Sequence, residues 1–232
     1  MDRQTRHELK TDKFVEEVGH TVEFFEQHRS QIIRYGGITA AVVLIAAGAW
    51  LYTSKQRSNR QAELGDAIAL VNAPVGPAGS GRSVSFPTEE AKALAVQKAF
   101  NDIVTKYAGS NESGVALYML ALAEADKGKL ADAERLLRRA AEEADDEYAS
   151  LARLALADVL SANGKTAEAE KILRDLLAKP TALVTKEQAT LNLARVIAKS
   201  KPAEAKKLLD PLRSSTGPAS ASAIALVSEL GI

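Results

Sequence analysis

The apolar positions of this chain change their pattern along its length. From Phe14 through Val18 and Val22 to Phe25 they recur every three or four residues, the spacing of one face of a helix. From Tyr35 to Ser54, YGGITAAVVLIAAGAWLYTS, the alternation stops, and twenty residues pass with no ionisable side chain stronger than tyrosine. A helix rises about 1.5 Å per residue, so this run covers about 30 Å, the hydrocarbon thickness of a bilayer. Tyr35 at one end and Trp50 and Tyr52 at the other suit the two headgroup layers, and Lys55, Arg57 and Arg60 follow with interfacial charge. The pattern predicts a transmembrane helix over 35–54, preceded by a charged, amphipathic segment over 1–34. The small residues Gly36 and Ala40, with Ala49 further along, offer a face for packing within the membrane.

Beyond Lys55 the chain is rich in alanine and leucine and poor in the β-branched runs that strands need, so it reads as all-helical. The Gly/Pro/Ser stretch 72–87 separates a helix near 58–71 from one near 88–107, where Pro87 and Thr88 ahead of Glu89 and Glu90 form a helix start. Residues 55–87 therefore read as a linker helix and flexible loop, and 88–232 as a helical domain.

That domain repeats itself. Gly128, Gly164 and Ser200 are 36 residues apart, as are Ala133, Ala169 and Ala205, and Leu137, Leu173 and Leu209. Each unit reads as helix, tight turn, helix. The alanines let the second helix approach the first, and the leucines one turn later fill the space between them. One such hairpin cannot bury both apolar faces, so neighbours must stack into a solenoid with a concave groove. Val96, Phe100 and Ile103 echo the second-helix spacing and suggest half of an earlier, degenerate repeat. Thr185 and Gln188 suggest a capping box, Pro211 should shorten the helix that holds it, and 218–232 reads as a terminal cap helix.

The turn glycines Gly128 and Gly164, the small residues Ala121 and Ala157, and Ala133, Ala169 and Ala205 resemble the tetratricopeptide pattern, with two extra residues per period and Ser200 in place of glycine. More narrowly, the order of VEFFEQHR, a single anchor and an Ala-rich repeat domain containing ADKGKLADAERLLRRA resembles the ancillary-subunit family of the bacterial SecYEG translocon. The resemblance implies an all-α protein, one transmembrane helix followed by a tetratricopeptide-like α-α superhelix. It implies a single-pass inner-membrane location, with the N-terminus cytoplasmic and the repeats periplasmic. It also implies the translocon, periplasmic chaperones and exported clients as partners.

Charge adds exclusions. Lys plus Arg equal Asp plus Glu at 30 each, so no basic excess favours nucleic acid. The near-even count of Lys and Arg around the apolar run leaves orientation undecided. With no cysteine, disulfides and thiolate chemistry are excluded. His7, His20 and His28 all precede the apolar run and read as surface residues, so no serine–histidine pair can form in the repeats. Gly76 to Ser83 matches a phosphate loop except that Arg82 replaces lysine, but no strand precedes it and a loop is the better reading. The acids Glu142, Glu143, Asp145, Asp146 and Glu147 lack the alternating spacing of a calcium loop and read as solvated charge at a repeat junction, as do Asp126, Lys127, Lys129 and Asp132 on a turn. No catalytic, cofactor or metal residue is assigned. The expected function is a non-enzymatic, membrane-anchored interaction scaffold serving the Sec translocon. The alternatives are an adaptor for cell-envelope or cell-division machinery and a self-associating structural protein.

Overall fold

The computed structural model describes the backbone of residues 3–76 and 84–231 and, from residue 34 onward, their side chains. The face through Phe14, Val18, Val22 and Phe25, the three histidines, and most of the Gly76–Ser83 segment lie outside the described side chains. The fold is all-α. Among the described residues nine helices occur: α1 (Arg3–Val71), α2 (Glu89–Lys106), α3 (Asn111–Asp126), α4 (Leu130–Glu143), α5 (Asp146–Ala162), α6 (Thr166–Ala178), α7 (Lys186–Ile197), α8 (Pro202–Arg213) and α9 (Pro218–Leu230). The chain divides into two units, 1–58 and 59–232.

In the first unit the apolar run belongs to α1, which continues through the polar, helix-forming residues Lys55, Gln56 and Arg57 without interruption. The apolar side chains of the run, including Leu44, Ile45 and Trp50, stand exposed, and none of its most apolar stretch (mean hydropathy 1.6) is buried. A soluble core helix would be covered. The hydroxyls of Thr39 and Thr53 donate to the carbonyls of Tyr35 and Ala49 at 2.8 and 2.9 Å. Polar groups in lipid must be satisfied within their own helix, and these are. A helix long and apolar enough to cross a membrane is thus present near the N-terminus.

The second unit is a stack of hairpins: α3 with α4, α5 with α6, and α7 with α8, followed by α9. Each first helix also packs on the next one, α3 on α5, α5 on α7 and α7 on α9, whereas the second helices α4, α6 and α8 do not pack on each other. Helices on the inside of a curve lie closer together than those on the outside, so the first helices form the concave layer. Ala133, Ala169 and Ala205, and Leu137, Leu173 and Leu209, are fully buried in one continuous core.

The turns show why the repeat is tight. Gly128 and Gly164 adopt φ of +75° and +77°, a left-handed conformation that a side chain disfavours. The amide of Lys129 then donates to the Glu124 carbonyl at 2.9 Å, closing the end of α3. Ser200 needs no glycine, because the third turn stays out of the left-handed region and the Lys201 amide instead donates to the Ile197 carbonyl, at 2.7 Å. Helix starts are capped by Thr88, Ser110, Asp145 and Thr185, each accepting an amide three residues on. Pro211 lies within α8, which ends two residues later at Arg213.

The degenerate repeat is a whole hairpin. Phe100 and Ile103 are buried with Ala67 of α1 and with Ala116 and Leu120 of α3, while Leu64 and Ile68 of α1 pack alongside. Its first helix is the last part of α1, from Asn59 on. The connecting loop is pinched at its base, where the Gly76 amide donates to the Phe86 carbonyl at 2.8 Å and the Phe86 amide to the Pro74 carbonyl at 3.1 Å. Glu63 accepts from Lys106 Nζ at 2.5 Å and from the Tyr107 hydroxyl at 2.9 Å, fastening the two helices.

Candidate functional site

The concave layer presents a stripe of side chains that the second helices leave uncovered. On α5, Tyr148, Leu151, Ala155 and Asp158 recur at helical spacing along one partly or fully exposed face. Tyr118 of α3 and Arg195 of α7 flank that stripe from the neighbouring first helices, close enough to act electrostatically on Tyr148 and Asp158 respectively. Asp158 reaches water, yet the surrounding protein desolvates it and raises its carboxyl above the ordinary value, with the Arg195 charge opposing. Tyr118 is likewise raised by burial and then by Tyr148. A groove with two tyrosines, aliphatic floor residues, one acid and one base suits a protein segment rather than a small substrate.

The outer layer carries a different feature. Lys165, the residue before α6, donates to Glu134 of α4 at 2.8 Å, and Arg138 of α4 bridges Glu134 at 3.0 Å and Glu168 of α6 at 2.5 Å. One period on, Lys201 donates to Glu170 at 2.6 Å, and Arg174 bridges Glu170 and Glu204, both at 2.7 Å. Two identical rungs thus link helices that do not pack on each other. The hydrogen bond from the lysine, then that from the arginine, holds the carboxyls of Glu134 and Glu170 below the ordinary range. The aligned segments GKLADAERLL and GKTAEAEKIL contain these charges, but the rungs are visible only once the helices are stacked. Beyond the first rung an open crevice of about 980 Å³ separates α4 from α6, with Arg153 and Leu156 of α5 on its floor and the small Ala141 and Ala178 on its walls.

Of the acidic cluster, read in the sequence as solvated charge, Glu142 and Asp146 are exposed, whereas Glu143, Asp145 and Glu147 are engaged in hydrogen bonds. Burial works against the charge of Glu143, but the Ser113 hydroxyl at 2.6 Å, the Gly109 amide at 3.0 Å and Arg139 outweigh it and hold its carboxyl low. Asp145 caps α5 and accepts from the Asn111 side chain at 2.9 Å, and Glu147 accepts from the Leu183 amide at 3.0 Å. Glu143 fastens the two helices of one hairpin, and Asp145 and Glu147 fasten one repeat to the next, roles that residue type and spacing do not disclose. Lys127 and Lys129 pair with Glu124, and Asp132 with Arg135. Among the described residues no three His, Cys, Asp or Glu side chains gather as metal ligands.

The family model of the tetratricopeptide repeat-like domain matches residues 23–182, more than half of the chain. The match begins ahead of the apolar run and ends inside the stack, so anchor-length helix and repeats are matched together. No curated protein and no solved structure matches the chain. The fold and the matched family describe a repeat-built protein–protein interaction module.

Proposed function

Because the chain belongs to the tetratricopeptide repeat-like domain family, we propose that it is a membrane-anchored adaptor whose concave groove holds segments of envelope proteins at the membrane surface. The observation that carries this reading is the uncovered stripe through Tyr148, Leu151, Ala155 and Asp158, flanked by Tyr118 and Arg195. The helix over 35–54 anchors the protein in the lipid bilayer, and tethering raises the effective concentration of the groove toward membrane partners. The segment 1–34 is cytoplasmic, and the unit from Asn59 on, whose first hairpin takes in the helical part of the 55–87 stretch expected as a linker, is periplasmic on a bacterial inner membrane. The test is affinity capture of the full chain from solubilised membranes beside Asp158→Arg, which places a second cation against Arg195. Partner yield should fall several-fold with the fold intact. Equal yields from both proteins would sink the groove as the binding face.

A second reading narrows the partner to the SecYEG translocon and periplasmic chaperones, and the feature order VEFFEQHR, anchor, ADKGKLADAERLLRRA favours it. The same capture separates the two readings, since translocon subunits must dominate for the narrower one to hold. Protease added to intact cells and to spheroplasts tests the compartment: the repeats should be cut only in spheroplasts.

A further inference from the structure

The outer face of the last helix, together with the edge of α8, has the makings of a docking site. Seven residues before each turn glycine or its equivalent stand Ala121, Ala157 and Leu193, all fully buried. The residue seven before Gly231, which takes the same left-handed turn conformation with φ of +67°, is Ile224, and it is 54% exposed. Around it Ala221, Ala225 and Ser228 are exposed too, and no charged residue occurs from Ser214 to Ser228. Among the described residues no helix covers this face.

The charges beside it say what would fit. In both rungs the lower helix offers Glu then Arg four residues on (Glu134 and Arg138, Glu170 and Arg174), and the upper helix answers with Lys at its cap and Glu three residues later. In α8 the same columns are reversed, with Lys206 and Asp210, both exposed, Asp210 also pairing with Arg213 of its own helix at 3.2 Å, as Glu134 pairs with Arg138 in the first rung. A helix of the chain's own second-helix type would set lysine against Lys206 and glutamate against Asp210. Like charges so placed oppose docking, and opposite charges steer it.

We propose that this face binds a helix of a different protein, one with an acid at its N-cap, a base three residues on, and a small residue and a leucine in the places of Ala205 and Leu209. The helix stacks over Ile224 with its acid on Lys206 and its base on Asp210, and the reversed columns discriminate against a helix of the α6 or α8 type. The proposal rests on the adaptor reading, but it concerns a surface apart from the concave groove.

The experiment uses the full chain in nanodiscs and two fluorescent synthetic helices. One has the sequence of Lys201–Arg213; the other has its Lys201 position changed to Glu and its Glu204 position changed to Lys. Anisotropy should show the swapped helix binding roughly tenfold more tightly, the ratio expected when two exposed pairs change from repulsive to attractive. The double variant Lys206→Glu with Asp210→Lys should invert the preference. Ile224→Glu, at an exposed position and with its melting temperature checked, should abolish binding of either helix. Equal affinities, no binding of the swapped helix, or self-association by light scattering that Ile224→Glu removes would each overturn the proposal. Ile224→Glu alongside Asp158→Arg in the partner capture keeps the two readings separable, because loss with Asp158→Arg alone leaves the adaptor standing.

Discussion

In the inner layer, α3, α5 and α7 lie directly on one another, and Leu117, Ala121, Ala157, Leu160 and Leu193 are packed without access to water. In the outer layer, α4, α6 and α8 stand apart, joined by lysine–glutamate–arginine rungs whose cations are about half exposed. The first arrangement gains from burial at about 25 cal/mol per Å², which neither salt nor pH alters much. The second gains little per pair, since exposed ion pairs are worth about 0–1 kcal/mol. Existence of the fold therefore lives in the apolar columns. The rungs chiefly decide which helix is accepted above which, and at α8 the reversed columns change that choice.

The largest effect should come from opening the shared core. Leu173→Ala removes a fully buried side chain between α5 and α6 and should destabilise the repeats by about 2–5 kcal/mol, read as a lower melting temperature of the full chain in detergent. A loss within a few tenths of a kcal/mol would mean the columns are not the source of stability. Next comes Gly114, whose added Cβ would fall inside the backbone of Ala144 where α3 meets the end of α4. Gly114→Ala should cost about 1–3 kcal/mol by overpacking, measurable in the same melt. The neighbouring contact at the following junction is made by Ser150, which bonds the Thr181 hydroxyl at 2.7 Å, so Ser150→Ala should cost less, about 1 kcal/mol.

These columns were legible in the sequence because identical packing problems select identical residues: Ala133 predicts Ala169 and Ala205, and the turn glycines follow from a backbone that only glycine enters easily. The apolar run was legible for an even simpler reason, the lack of any charge over a bilayer's thickness. The first hairpin was half hidden, since its two helices are separated by the 72–87 stretch and its first helix continues the helix of the apolar run. The fastening roles of Glu143, Asp145 and Glu147 were hidden because their partners, Ser113, Asn111 and the Leu183 amide, lie some thirty or more residues away. The groove was legible as a consequence of stacking, but not its occupants. Tyr118, Tyr148, Asp158 and Arg195 do not share a repeat column, so periodicity gave no signal for them.

The finest discrimination between the layers is their response to protons. Glu134 and Glu170 have folded-state carboxyls below the ordinary value, so the stability they add is fully present above the unfolded value of about 4.3. It is lost as pH falls through the lowered folded value. Asp158 runs the other way. Its folded carboxyl is raised, so holding it ionised weakens the fold increasingly as pH climbs from the ordinary carboxylate value through the folded one. The double variant Glu134→Gln with Glu170→Gln should therefore melt lower than the parent at pH 7 by an amount equivalent to about 1 kcal/mol. That gap should shrink in 1 M salt, where the screening length is about 3 Å, and close as the medium is acidified below about pH 4. Asp158→Asn should show the opposite trend, equal to the parent in acid and more stable than it at pH 7. A double variant that stays at the parent's melting temperature at pH 7 and low salt would leave the outer layer held by something other than its rungs.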